Sequence, residues 1–529
     1  MTTPLGIATG HESQDKAQVE HLDGGRLEDQ DEKATITGFQ SSFESKYAAL
    51  NRKQTIKTFW KCIIFCMIAN WAALNDGLPG NVIPLPGFVA TMADTVVDGV
   101  PTISAKVLSF WGGFGTIAQL CGQAMGGPLS DRIGRKNTMI LFVLLFLLGS
   151  SLEITARDWQ WWMGSQTVIK VAIGTAQSVL IVYVAEIAPF QLRGVAIAAY
   201  QLFLASGQLV GSIATQIMEV TAPGQWKPLI ASEFVFTGVL CFLLPFLPES
   251  HIFYARRDDE TNAKRMMTRI YGTAKDYDVD YEYAAVLNAI EAEREYNRAA
   301  EGSSWTEIFK GTNLRRTIAG AIGITAQPLS GTAIVFSYST YFFSVSGLEN
   351  PFLVTVVVFI TLLIFIAVAM GLCEILGRRP LLLWGCASMC IFNIALAATG
   401  SFSTSGSGHA ALAFLLLWVV AYALSTGPIG FISAGEISTP RLRGKTTSFS
   451  FVCYSGLNVV LTWVVPYLIS PTAANLGTTG RTYAELDELY SRGIPAWKFK
   501  TATTGLEAQG AKAKTLVTHQ IDRNQDTAA

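Results

Sequence analysis

The sequence predicts an all-α membrane protein built of two similar halves of six-helix type, and three observations predict it. Half of the 529 residues are hydrophobic and only 15% are charged, against roughly 25% charged in an ordinary soluble domain. The apolar residues form long unbroken runs rather than stripes, and mean hydropathy is +0.35. A pair of short motifs also recurs. Glu186-Ile-Ala-Pro-Phe-Gln-Leu-Arg193-Gly194 returns as Glu436-Ile-Ser-Thr-Pro-Arg-Leu-Arg443-Gly444, and Asp131-Arg-Ile-Gly134-Arg135-Lys136 returns as Glu374-Ile-Leu-Gly377-Arg378-Arg379.

Taken in order, residues 1–57 are polar, with an acidic stretch at Glu28, Asp29, Asp31 and Glu32. They contain no apolar core, so no cleavable signal peptide is expected and the first apolar segment acts as the signal. A bilayer core needs about 20 apolar residues per helix. The segments that meet this test are 59–82, 107–125, 138–156, 162–185, 195–217, 229–247, 317–343, 352–373, 380–400, 410–433 and 447–469, about eleven spans. With the N-terminus in the cytoplasm, Lys53, Lys57, Arg132, Arg135, Lys136, Arg193, Arg378, Arg379, Arg441, Arg443 and Lys445 all fall on that side. The opposite loops keep little beyond Lys106, Arg157 and Lys227. The expected organisation is a cytoplasmic tail (1–57), a first membrane half (58–247), a charged cytoplasmic loop (248–316), a second membrane half (317–470) and a polar tail (471–529). Within the loop, residues 284–300 hold Glu291, Glu293 and Glu295 beside Arg294 and Arg298 without Gly or Pro, a pattern read as a helical brace in preference to a solvated linker.

Other function classes are excluded on composition and motif. A net charge of -1 argues against a nucleic-acid partner. No acid/base pair, nucleophile–histidine arrangement or Gly-rich phosphate loop occurs, so neither an enzyme nor ATP-driven pumping is expected. All eight cysteines lie in apolar segments, which argues against a disulfide framework. No metal or other cofactor is expected.

In the repeated motifs each acid sits at a helix end, where an arginine of the partner motif can pair with it at the seam of its half. Such a cluster, comprising Asp131, Arg135, Glu186 and Arg193 and, in the repeat, Glu374, Arg378, Glu436 and Arg443, can lock one conformation and be broken in another. At these residues the chain resembles a known family. Gly127-Pro-Leu-Ser-Asp131-Arg-Ile-Gly134-Arg135-Lys136 resembles the loop motif of the major facilitator superfamily, and Pro248-Glu249-Ser250 is similar to the sugar-porter Pro-Glu-Ser-Pro. Tyr183-Val-Ala-Glu186 with Leu192-Arg193-Gly194, Gln327 with Gly331, Tyr338-Ser-Thr-Tyr341-Phe-Phe, and Gly427-Pro428 follow in order. The Tyr338 run, and Gln177 six residues before Tyr183, are most similar to fungal maltose/α-glucoside permeases. The resemblance covers residues 55–477 and 480–490. It implies the major facilitator fold and proton-coupled sugar transport.

Asp76 follows an apolar run in the first span, where sugar/proton symporters of this family carry a membrane aspartate. Burial favours the protonated form of such a carboxylate and a nearby cation the charged form, so a moving partner can load and unload it. The other reading is that Asp76, followed by Gly77, Pro79 and Gly80, is simply hydrated at the outer interface. The family's usual arginine of the fourth span is Gln166 here. Lys170 lies one turn on in an apolar helix, and Gln166, Lys170 and Gln177 share a face by their spacing. Lys170 is expected to supply the cation, either to Asp76 or to an acidic group on the substrate, against the alternative of a snorkelling lysine.

For sugar recognition the resemblance implies Gln201, Gln327 and Asn458 as hydrogen-bonding groups, together with Gln166 and Gln177, and Tyr338 and Tyr341 as an outer gate. For each, helix–helix hydrogen bonding is the alternative. A second glutamine expected after Gln327 is Pro328, and an asparagine expected two after Gly331 is Ala333. After Pro466-Tyr467 the family continues into a twelfth span, whereas this chain passes from Asn475-Leu476-Gly477 to Thr478, Thr479, Gly480, Arg481 and Thr482. The twelfth span is thus expected to be missing, through an internal deletion or in a true eleven-span protein. The deletion is preferred because sequence resumes in register. The expected function is proton symport of a hexose or α-glucoside by a monomer in a fungal plasma membrane, with the vacuolar membrane second. Transport of a polyol, a quinate-like acid or a secondary metabolite, and a non-transporting sensor or defective paralogue, are the alternatives.

Overall fold

The computed structural model describes residues 47, 50–78, 82–97, 99–272, 277–301, 305–332, 335–336, 350–400, 407–430 and 443–469. The first half is six helices: α1 (Trp60–Gly77), α2 (Ala105–Ile133), α3 (Arg135–Ile154), α4 (Trp159–Ile187), α5 (Arg193–Thr221) and α6 (Lys227–Leu243). Two helices follow on the basic face, α7 (Glu260–Tyr271) and α8 (Val279–Glu301). The second half contributes α9 (Gly311–Leu329), α10 (Pro351–Ile375), α11 (Arg378–Gly400), α12 (Ser407–Leu424) and α13 (Arg443–Ile469). Within the described residues each apolar run of the sequence overlaps one of these helices. Among the described residues eight helices are long and apolar enough to cross a membrane; α1, α2 and α9, richer in polar residues, are outside that group.

Local chemistry sets the helix ends. Ser104 caps α2 by accepting from the Val107 amide at 3.3 Å, and Asp158 caps α4 by accepting from the Trp161 amide at 2.7 Å. Gly134, at φ 98°, turns the chain between α2 and α3, and Gly377, at φ 79°, makes the corresponding turn before α11. The motif repeat read from the sequence is therefore also a repeat of backbone conformation, one that a side chain would strain.

In lipid, helices associate through close packing and hydrogen bonds rather than through hydrophobic burial. Two glycine pairs supply the close approach. A Cβ on Gly174 of α4 would lie 2.1 Å from the Gln119 carbonyl oxygen of α2, and one on Gly207 of α5 would lie 2.1 Å from the Leu74 carbonyl oxygen of α1. The halves meet where α2 packs on α13 and α5 on α10. Along the first seam, Ser109 Oγ donates to the Trp463 carbonyl at 2.8 Å, Thr116 Oγ1 donates to Thr462 Oγ1 at 3.4 Å, and Ser455 Oγ donates to Gln123 Oε1 at 3.4 Å. The indole of Trp463 rests on Gly113, where an added Cβ would fall 1.9 Å from its Nε1.

The fold is all-α apart from one short loop element. Between α1 and α2 the strands Thr95–Val97 and Val100–Thr102 form an antiparallel hairpin, with Thr95 opposite Thr102. Asp94 steadies it against α2 by accepting from the Ser104 amide at 2.7 Å and the Ser104 hydroxyl at 2.6 Å. Beside it Phe88 is boxed by Trp111, Trp162 and Trp226, at centroid distances of 5.9, 4.8 and 5.4 Å.

The two halves differ in how well their third helices are covered. In α3, 44% of the spanning window is buried, with α6 packed on it; in α11, the matching helix of the second half, 17% is. Among the described residues no helix stands against α11 as α6 stands against α3. The chain beyond residue 469, where the expectation of a missing twelfth span falls, lies outside the described residues.

Candidate functional site

Three polar clusters occupy the first half. The innermost centres on Asp76, half-buried near the end of α1. Its Oδ2 accepts from Gln177 Nε2 of α4 at 2.7 Å and from the Tyr200 hydroxyl of α5 at 2.9 Å. Gln177 Oε1 accepts in turn from Gln119 and Gln123 of α2, at 3.0 and 2.7 Å. Through Ser455 this chain of bonds reaches the second half. Asp76 is thus held by neutral donors and joined, helix by helix, to the seam between the halves.

The second cluster has no counterpart in the sequence reading beyond two of its members. Gln166 Nε2 donates to Glu153 of α3, and Ser150 Oγ donates to Glu233 Oε2 of α6 at 2.7 Å. Glu153 is 0% and Glu233 3% exposed. Lys170, half-buried on α4, is close enough to act electrostatically on both. Among the described residues no ion pair joins it to these glutamates or to Asp76, so it acts on the two glutamates at a distance. Gln166, Lys170 and Gln177 therefore divide: the first two face α3 and α6, and Gln177 faces α1 and α2.

The third cluster lies on the basic face. Arg135, only 2% exposed, pairs with Asp131 one turn back at 2.9 Å and takes Glu186 through two bonds, from Nη2 at 2.9 Å and Nε at 3.1 Å. Glu249 receives the first amides of α3, Arg135 N at 2.9 Å and Lys136 N at 3.1 Å, beside the Ser250 amide at 3.0 Å. A carboxylate at a helix N-terminus is favoured by the unpaired amides and the dipole there. Burial nonetheless raises the pKa of Glu249, against these amides and the Arg135 charge. Gly134 makes the contact feasible, since a Cβ there would lie 2.5 Å from Glu249 Oε2. Tyr183 locks the same turn by donating to the Pro248 carbonyl at 2.7 Å.

Arg193, the fourth residue expected in this cluster, pairs with none of these acids; Arg135 has taken them. In the repeat, Arg378 opens α11 as Arg135 opens α3 and is exposed. Glu436, Tyr338 and Tyr341, and the side chains of Glu374 and Arg443, lie outside the described residues.

Of the residues expected to bind substrate, Gln327 is 3% exposed and spends its amide on the Thr426 and Gly427 carbonyls, at 2.7 and 3.0 Å. It ties α9 to the end of the α12 segment. Gln201 and Asn458 are half-buried, and their side-chain amides have no partner among the described residues.

Two helical bundles joined along a polar seam, with ionisable residues set inside the apolar layers, define a multi-pass membrane transporter. The solved structures agree on the fold. The chain is similar to the proton:xylose symporter XylE bound to 6-bromo-6-deoxy-D-glucose, with TM-score 0.65 and 20% identity, covering 80% of this chain and 90% of that one. The partially occluded inward-open xylose transporter of E. coli matches with TM-score 0.60 and 20% identity over 76% of this chain and 92% of that one. Residues 90–483 match the model of the sugar (and other) transporter family, and the chain belongs to that family.

Among its relatives are an MFS transporter of Aspergillus fumigatus, 26% identical over 81% of this chain and 80% of the relative. A high-affinity fructose transporter of Schizosaccharomyces pombe is 24% identical over 82% and 87%. The high glucose sensor of Saccharomyces cerevisiae is 26% identical over 67% of this chain and 47% of its own length. Two of these relatives carry glucose or fructose in their names and none carries maltose, so the comparisons support kinship with sugar porters in general and not with maltose/α-glucoside permeases in particular.

Proposed function

We propose that the chain carries a hexose together with protons by alternating access of its two halves, with Asp76 as the proton-bearing group. The observation that carries this reading is the setting of Asp76. Neutral donors hold the carboxylate, so it can take up a proton without breaking an ion pair, and the same donors lead to the seam at which the halves must separate. Lys170, which acts electrostatically on Glu153 and Glu233, stands as a second charged group on α4. The unpartnered amides of Gln201 and Asn458 suit sugar hydroxyls, and the Asp131–Arg135–Glu186 cluster suits a lock on one conformation. Hexose is preferred to a larger glucoside because the named relatives include a glucose sensor and a fructose transporter. The basic face is read as cytoplasmic and the membrane as the plasma membrane.

Reconstituted in proteoliposomes, the full chain should show counterflow of labelled glucose or fructose and accumulation driven by a pH gradient. Asp76→Asn should abolish the gradient-driven accumulation while exchange persists, and Lys170→Ala should alter the pH dependence. Absence of flux with any hexose despite correct insertion overturns the transport reading. Unchanged pH dependence in both variants overturns the coupling assignment. A second reading, a non-transporting sugar sensor, is favoured by the likeness to the high glucose sensor; sugar binding without counterflow would select it.

A further inference from the structure

The basic face holds a cavity of about 410 Å³ between the first half and the helices α7 and α8. That volume is in the range of small-molecule sites, about 300–1,000 Å³. Phe59, Tyr271 and Tyr277 give it aromatic walls, and Tyr47, stacked on Tyr277 at 5.8 Å and 21°, forms part of its rim. No residue of the Asp76 network lines it.

Two groups lining this cavity carry no protein partner among the described residues: Arg193, exposed at the start of α5, and one ring nitrogen of the buried His251. Arg193 has neither a hydrogen bond nor an ion pair among the described residues, because Arg135 already binds Glu186, the nearest acid of its motif. His251 is 4% exposed, and its Nδ1 has no hydrogen-bond partner. Buried polar atoms are almost always bonded, and His251 lines this cavity with that nitrogen unbonded. Arg193 acts electrostatically on both His251 and Tyr271, and all three line the cavity. Arg193 also opens the 29-residue helix α5, whose first turn has no side-chain cap, so its amides add to the same positive end.

The acids at the cavity do not cancel this preference. Both oxygens of Glu186 are held by Arg135, and Glu282, across the cavity on α8, is engaged in contacts of its own. An arginine fork is the side chain best matched to phosphate oxygens, and a neutral imidazole can donate one bond more. Aromatic faces beside them suit a ring of sugar or base size.

We infer that this cavity binds a small organic phosphate, a ring-bearing phosphomonoester, with Arg193 and His251 on the phosphate and the tyrosines against the ring. Bound there, it would fasten α7, α8 and Tyr47 to the ends of α4 and α5. The site lies on the face that the charge distribution assigns to the cytoplasm, where such esters are abundant.

The test uses the purified full chain in detergent, with thermal stability and equilibrium binding measured against glucose 6-phosphate, adenosine 5′-monophosphate and inorganic phosphate. At least one ester should stabilise the protein and bind about tenfold or more tightly than inorganic phosphate. Arg193→Gln should weaken that binding about tenfold or more, the value of one charge-assisted contact. Ala289→Trp, which fills the cavity from an exposed position on α8, should abolish it while leaving the unliganded protein as stable as wild type. The response of one ester alone identifies the ring, sugar or base. No binding of either ester, equal binding of inorganic phosphate, or binding unaltered in both variants overturns the inference.

Discussion

Replacing Gly174 by alanine tests whether the Asp76 network depends on the backbone contact between α2 and α4. The new Cβ would lie 2.1 Å from the Gln119 carbonyl oxygen, and real Cβ atoms do not approach closer than 3.0 Å. The helices must therefore part by about 0.9 Å, the difference between those distances. If α2 moves as a rigid body, the Gln119 and Gln123 bonds to Gln177, now 3.0 and 2.7 Å, lengthen to about 3.9 and 3.6 Å, beyond hydrogen-bonding range. Overpacking costs about 1–3 kcal/mol, and two intramembrane hydrogen bonds add about 1 kcal/mol. The better helix propensity of alanine returns about 1 kcal/mol. The net expectation is a loss of about 1–3 kcal/mol on these terms. Gly164→Ala is the control: it lies on the same helix, and an added Cβ there meets nothing within 4 Å. Thermal denaturation in detergent, followed by tryptophan fluorescence, should place Gly174→Ala below wild type and Gly164→Ala at or above it. Gly174→Ala as stable as Gly164→Ala would refute the argument that this glycine exists for the close approach.

Two further outcomes are expected. Arg135→Ala leaves Glu186 largely buried without its cation and should cost about 3–5 kcal/mol, whereas Arg135→Lys keeps the charge but not the two-pronged geometry and should fall between; denaturant or thermal midpoints check the order. His251 is pushed down to about 4 from 6.5, first by burial and then by Arg193. Below pH 6.5 the unfolded chain therefore takes up a proton that the folded chain refuses until about pH 4. Stability should accordingly fall as pH drops through that window, by up to about 3 kcal/mol. Glu249, raised by its burial, acts in the opposite sense, so the comparison is made against His251→Gln, which should lose only the histidine slope in midpoint-versus-pH curves.

Much of the architecture was legible because lipid makes it so: a chain crossing a bilayer must present long apolar runs, and the runs at 138–156, 162–185 and 352–373 are helices. The repeated Gly134 and Gly377 turns were legible as a motif, and the positive φ of both explains why the motif needs glycine. The Glu153–Lys170–Glu233 cluster was half read. Lys170 stood out in an apolar helix, but each glutamate sat near the end of a run whose average a single acid barely lowers. The available signal was a count of charges: a lone intramembrane lysine requires acids on neighbouring helices, and Glu153 and Glu233 were the candidates. Spacing also could not decide which arginine would take Glu186. Arg135 and Arg193 both lie near it, and only the fold, with Arg135 drawn under Phe253 at 5.5 Å, leaves the other unengaged. The hairpin at 95–102 was invisible because three-residue strands carry no periodicity.

The seam between the halves bears on how the carrier divides its time. Ser109, Thr116 and Gln123 recur every seventh residue along α2, and each reaches α13 through a single polar bond. At about 0.6 kcal/mol for a hydrogen bond inside a membrane, three of them bias the closed arrangement by about 2 kcal/mol, a factor of about thirty in population. Polar bonds that weak add little to the packing of α2 on α13 and of α5 on α10, so the transported molecule need supply only a modest difference in binding energy to offset them.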